Sequence, residues 1–207
     1  MPTNPRNRRS TTRAGARHPG TPPPAVHVPA GLVVLVGPPA SGKTSFVRAL
    51  IAQGRIDAEA VVSSDEIRAE LSGPFPAQVD SDAVDARIFE ERDHRIAARL
   101  AAGHSAVAES TNVTPQARER LIALAGRFRA PVTMLRFAPD VAGLLQQYTE
   151  RGRTDLTAED VRAYAVVMSR DAGADRLRSE GATRVHDVPG RRQATTAAEA
   201  AARFSFG

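Results

Sequence analysis

The sequence predicts an α/β fold, a three-layer α/β/α sandwich around a five-stranded parallel sheet. Three observations predict it. Short apolar runs alternate along the chain with longer stretches of helical period. The first run, residues 32–36 (LVVLV), is apolar at every position, as a strand covered on both faces must be. Polar residues with chemical capacity recur just after successive strands, the edge at which parallel sheets bind ligands.

The elements follow in order. Strand 32–36 runs into a glycine-rich loop and then a helix over 42–53, with Phe46, Val47, Leu50 and Ile51 on one face. Residues 60–64 (AVVSS) form the second strand and 66–71 a short helix. A loop with two prolines and a glycine occupies 72–80. A long helix over 82–102 carries Val84, Ile88, Ile96 and Leu100 at helical spacing and ends at Gly103. The third strand is 105–110. Thr114-Pro115 opens the next helix, because proline suits the first helical position. The fourth strand is 131–138, followed by a helix over 140–151, an arginine-rich turn over 150–155, a helix from about residue 158, and a fifth strand over 183–188.

Both ends read differently. Residues 1–30 hold seven prolines, five arginines and no acid, and are expected to be a disordered basic arm. Residues 191–207 are expected to be an alanine-rich tail that frays or forms a weak helix, so the folded domain spans 31–190. The formal charge of +5 is carried by these ends: residues 31–190 hold 20 basic and 22 acidic residues. A near-neutral body counts against the whole surface serving as a nucleic-acid platform. With no cysteine, disulfides and thiolate metal sites are excluded. No apolar run reaches the roughly 20 residues that span a bilayer, and the expected location is the cytoplasm.

The strongest signal is GPPASGKT, residues 37–44, the Walker A pattern G-x-x-x-x-G-K-[ST]. Gly37, Pro38, Pro39, Ala40, Ser41 and Gly42 are expected to form the nucleotide-binding loop, whose glycines allow backbone N–H groups to turn inward around phosphates, and the following helix adds its positive end. Lys43 is placed to reach the β- and γ-phosphates, Thr44 to ligate Mg²⁺, and Ser45 continues the cradle. Of 28 basic residues 27 are arginine, and the single lysine is Lys43. A compact ammonium fits inside a phosphate cradle where a planar guanidinium does not.

The acceptor side is read from the next strands. Asp65 follows the second strand, and Arg68 lies three residues on, on the same helix face. A carboxylate near the γ-phosphate can take the proton from an attacking hydroxyl, and an arginine can steady the transferring charge. Ser63-Ser64-Asp65-Glu66 also reads as a capping box, and both roles are compatible. Glu109, at the end of the third strand, is expected to orient Arg68 or to hold Mg²⁺ through water, or else to belong to a cap region. Asn112 reads equally as a turn residue or a ligand. Arg151 and Arg153 are expected on a short lid that meets the phosphates.

Together GPPASGKT, VVSSDEIR and VAESTNVTPQARERL resemble the kinase module of bacterial polynucleotide kinase–phosphatases. That module lies within a broader P-loop kinase group that includes zeta-toxin-like and chloramphenicol-phosphotransferase-like enzymes. The resemblance covers roughly residues 31–188. It implies an adenylate-kinase-like sheet, ATP and Mg²⁺ as cofactors, and transfer of the γ-phosphate to a 5′-hydroxyl nucleic-acid end or to a small-molecule hydroxyl; the alternative of a different class is a non-kinase ATP-binding switch or slow NTPase module. It implies Lys43 and Thr44 as phosphate and metal residues, Asp65 as general base, Arg68 as the acceptor-side arginine, and Arg151 or Arg153 as lid arginines. Two departures stand out. The family usually has D-x-T-N where this chain has Glu109-Ser110-Thr111-Asn112, and its lid arginines are more widely spaced.

Overall fold

The structure, a computed structural model, describes residues 26–72, 81–138, 140–152 and 157–207. Five strands form one parallel sheet: β2 (Leu32–Val36), β3 (Val61–Ser63), β4 (Ala106–Glu109), β5 (Val132–Arg136) and β6 (Arg184–Asp187). Their order is β3-β4-β2-β5-β6, so the strand leading into the glycine-rich loop is central. Register places Val34 beside both Ala108 and Met134, and Ser63 beside Glu109.

The alternation of side chains along β2 builds the three layers. Leu32, Val34 and Val36 join one core with Ile88 and Ile96 of α3 (Ser81–Ala101) and Leu121 of α4 (Pro115–Arg127). Val33 and Leu35 join the other with Phe46, Val47 and Leu50 of α1 (Lys43–Ala52). The five predicted strands are all present. The helix after β3, α2, runs over Ser64–Ser72 and so takes Asp65 into its first turn, with Glu66 N–H donating to Ser63 Oγ at 3.4 Å. Thr114 caps α4 by accepting from Ala117 N–H, with Pro115 at the first helical position. Along the chain after α4 come α5 (Val141–Arg151), α6 (Ala158–Asp171) and α7 (Ala174–Ser179). A capping box between Thr157 and Asp160 opens α6.

The ends depart from the sequence expectation. Residues 26–28 are not part of a disordered arm: they form β1 (Val26–Val28), paired in parallel with β7 (Phe204–Phe206) in a separate two-stranded sheet. Residues 191–207 do not fray: α8 (Ala197–Ala201) leads into β7, and Ala200, Ala201 and Phe204 are buried in the α1-side core. Phe204 meets Phe46 edge-on, ring centroids 5.4 Å apart, and Phe46 meets Phe137 at 5.5 Å. Aromatic burial outweighs the weak local propensity of a three-residue strand. Residues 1–25 of the expected arm lie outside the described residues.

Phe204→Ala should therefore cost about 3–5 kcal/mol of unfolding free energy in urea denaturation, the range for truncating a buried aromatic. A cost under about 1 kcal/mol, the size of an ordinary exposed-site change, would mean that the clasp lies outside the cooperative fold.

Candidate active site

The exit of β2 from the sheet centre sets the geometry. Gly37 N–H donates to the carbonyl of Thr111 at 2.9 Å, which holds the loop entrance against the turn after β4. A Cβ on Gly37 would lie 2.8 Å from Phe137 Cβ and from Ser41 Oγ, so glycine alone fits. The turn then passes through two left-handed residues, Ala40 at φ 62° and Gly42 at φ 98°. For Ala40 this conformation carries strain, held by packing: its side chain sits in a small buried cluster with Leu144 of α5 and Val161 of α6.

Lys43 opens α1 and is only 8% exposed. Its ammonium donates to the carbonyls of Gly37 and Pro38, both at 2.8 Å, within the loop's own curve. Thr44 hydrogen-bonds through its side chain to Glu109, at the end of β4 and also 8% exposed. Burial raises the Glu109 carboxyl above the usual glutamate range. The Thr44 hydrogen bond and the Lys43 charge oppose this, and the neighbouring charges of Glu66 and Asp65 add to it. Thus Lys43, Thr44, Asp65 and Glu109 come together at one edge of the sheet. The hard oxygens of Thr44 and Glu109 are in mutual contact and fit a cation such as Mg²⁺. Among the described residues no three His, Cys, Asp or Glu side chains gather as a metal cage, so this pair would be supplemented by phosphate oxygens and water.

Other expected residues fall elsewhere. Asp65 is exposed in the first turn of α2, beside this cluster. Arg68 is paired with Asp85 of α3 and not with Glu109; both partners are about half exposed. Asn112 is a turn residue, at φ 46° and 1% exposed, and its amide donates to the carbonyl of Leu35 at 2.9 Å. Arg151 ends α5, but its side chain, like all of Arg153, lies outside the described residues, as does the loop over 73–80.

Beside the loop lies a cavity of about 580 Å³. Ser41, Gly42, Ser45, Phe46 and Phe137 line one side, and residues from 187 to 200 form much of the other. Two ion pairs frame it: Arg136 to Asp187 at 2.6 and 3.0 Å, and Arg191 to Glu150 at 2.7 Å. From Arg191 on, this second wall belongs to the segment expected to be a tail, and sequence reasoning missed it. Arg118 was missed as well, although its spacing to Leu121, Ile122 and Ala125 puts a charge on the buried stripe of α4.

Because the folded chain holds the Glu109 proton more tightly than the unfolded chain does, unfolding releases a proton just above the usual glutamate range. Stability contributed by this site is therefore lost as pH rises through that window. Glu109→Gln should flatten that slope: urea unfolding across pH should show the variant gaining on the wild type toward neutral pH, with the difference vanishing in acid.

Comparison with known proteins bears on this geometry. Among curated proteins no sequence matches this chain. A chain of the Pnkp1/Rnl/Hen1 RNA repair complex superposes with a TM-score of 0.58 at 18% identity, over 71% of this chain and 45% of that one. This chain thus spans less than half the length of that protein. An unliganded sugar kinase from Janibacter sp. HTCC2649 gives 0.57 at 15% identity, over 84% and 92%. A gluconokinase from Sinorhizobium meliloti 1021 gives 0.51 at 19%, over 84% and 90%. At such identities the likeness is one of fold, which this chain shares with these structures, two of them kinases. No helix among the described residues is long and apolar enough to cross a membrane. A family model described as an AAA domain matches residues 32–177, the stretch that carries the glycine-rich loop, Asp65, Glu109 and the β4–α4 turn, and the chain belongs to that family.

Proposed function

We propose that this protein transfers the γ-phosphate of ATP to a hydroxyl group. The observation that carries the reading is the convergence of Lys43, Thr44 and Glu109 at the mouth of the glycine-rich loop, with Asp65 on the adjoining helix turn. The carbonyls of Gly37 and Pro38 hold the Lys43 ammonium by neutral acceptors, which the charged oxygens of a triphosphate outcompete. The cavity beside Phe46 and Phe137 suits the base and sugar of the nucleotide. Mg²⁺ held by Thr44 and Glu109 would neutralise charge on the phosphates. Asp65 takes the proton of the acceptor hydroxyl as its oxygen bonds to the γ-phosphorus and the bond to the β,γ-bridging oxygen breaks, releasing ADP. Arg151 and Arg153 are placed by the sequence on the lid that would cover the phosphates.

The leading acceptor is a polynucleotide 5′-hydroxyl end, supported by the three-segment resemblance of the sequence. A second reading, a small-molecule hydroxyl, is favoured by a specific observation: three of the five arginines on α2 and α3 are ion-paired. Arg68 meets Asp85, Arg92 meets Asp93, and Arg95 meets both Glu70 and Glu91. A wall neutralised in this way offers little to a polyphosphate backbone.

Labelled ATP with Mg²⁺ should be offered 5′-hydroxyl RNA, matching DNA, a panel of sugars and amino alcohols, and no acceptor. Asp65→Asn is expected to lower transfer by about 10²–10⁴-fold while ATP affinity stays near wild type, the range for losing a general base. Transfer to an acceptor that survives in Asp65→Asn would remove Asp65 from the chemistry. ATP bound with no acceptor labelled would sink the kinase reading. Steep loss of acceptor affinity with rising salt identifies the polynucleotide, and indifference to salt the small molecule.

A further inference from the structure

Arg118 has no exposed surface, and each nitrogen of its guanidinium is hydrogen-bonded. Nε and NH2 grip the Glu180 carboxylate at 2.7 and 2.8 Å. NH1 donates to the carbonyls of Asn112 and Val113 at 3.1 and 2.7 Å, and NH2 also to the carbonyl of Asp171 at 2.8 Å. One side chain thus joins the turn after β4, the C-terminus of α6 and the end of α7.

The turn it grips is the one that holds the phosphate loop. Asn112 is tied to the carbonyl of Leu35, and the carbonyl of Thr111 receives the N–H of Gly37. Bonds therefore run without a break from the end of α6 through Arg118 and residues 111–113 to the first glycine of the loop. The helix pair α5–α6 meets the same loop a second time, where Leu144 and Val161 enclose Ala40. The arginine-bearing turn lies between those two helices in the sequence.

We propose that Arg118 is a positioning residue. It sets the phosphate loop and the α5–α6 arm in one fixed relation, so that nucleotide affinity depends on a guanidinium that never touches the nucleotide. This rests on the reading that the loop holds ATP. Glu180 shares the task by fixing the plane of the guanidinium, and its carboxyl is drawn below the usual glutamate range, the hydrogen bonds of Arg118 and Arg176 outweighing burial. Lysine at 118 would keep the charge but lose the fork that reaches three elements at once.

The test measures Kd for a fluorescent ATP analogue with Mg²⁺, at a temperature where circular dichroism shows each variant folded. Three variants are compared with wild type: Arg118→Lys, Glu180→Gln, and Leu177→Ala, which removes a fully buried side chain of α7 from the core without touching the network. Arg118→Lys should weaken the analogue about tenfold and Glu180→Gln about threefold, within the range for substitutions along a coupled network. Leu177→Ala should lower Tm and leave Kd unchanged. The proposal is overturned if Arg118→Lys and Glu180→Gln bind like wild type. It is equally overturned if Leu177→Ala, at matched loss of Tm, weakens binding as much. Should Arg118→Lys not fold, the comparison of Glu180→Gln with Leu177→Ala decides the matter. Wild-type protein that does not bind the analogue would instead overturn the nucleotide reading itself, and this proposal with it.

Discussion

Burial of β2 on both faces is the constraint from which the rest of the molecule follows. A strand with five consecutive apolar residues cannot lie at a sheet edge or face water, so it takes the centre, between β4 and β5. Its neighbours are then fixed, and so is the place where the chain leaves the sheet. The glycine-rich loop emerges in the middle of the carboxyl edge, with the ends of β3 and β4 on one side and those of β5 and β6 on the other. Lys43, Thr44, Asp65 and Glu109 meet on the β3–β4 side of that exit and the cavity opens on the β5–β6 side, because parallel strands deliver their following loops to the same edge.

Close packing around the loop is what keeps a costly backbone in place. A left-handed alanine, a glycine with no room for a methyl group, and a buried lysine directed at carbonyls each carry a local penalty. They persist because Phe137 presses on Gly37, because Leu144 and Val161 enclose Ala40, and because Thr111 anchors the entrance. A loop that is rigid before its ligand arrives loses little conformational entropy on binding. The neighbouring Thr44–Glu109 contact follows the same logic: a buried carboxyl resists ionisation, and a cation is the partner that relieves it.

Much of this was legible in the sequence, for definite reasons. Five strands were readable because apolar runs bounded by turn residues are local signals, and α4 because Thr114-Pro115 spells its own start. Lys43 and Thr44 belong to a motif whose mechanics are contained within eight residues. The parts that were not legible depend on contacts distant in the chain. Strand β1 is three residues long and acquires meaning only from β7, at the opposite end of the sequence. Of the readings open to Glu109, orienting Arg68 fails because α3 supplies that arginine's carboxylate in Asp85. Arg118 announced itself weakly, as a charge on an apolar stripe, while its partners Asp171 and Glu180 lie far along the chain. Periodicity detects burial; it does not reveal what a buried charge holds.

The pairing of β1 with β7 also imposes an order on assembly. A chain made from its amino end exposes Val28 and Phe46 long before Phe204 exists to cover them. The central sheet can close as soon as β6 is complete, but the core beneath α1, the helix that begins with Lys43, stays open until β7 arrives. The cavity wall over residues 187–200 is finished at the same moment. A protein interrupted shortly before β7 would therefore display a nearly whole sheet together with an uncovered aromatic face. That face would stay open to water well after the carboxyl edge of the sheet had taken shape.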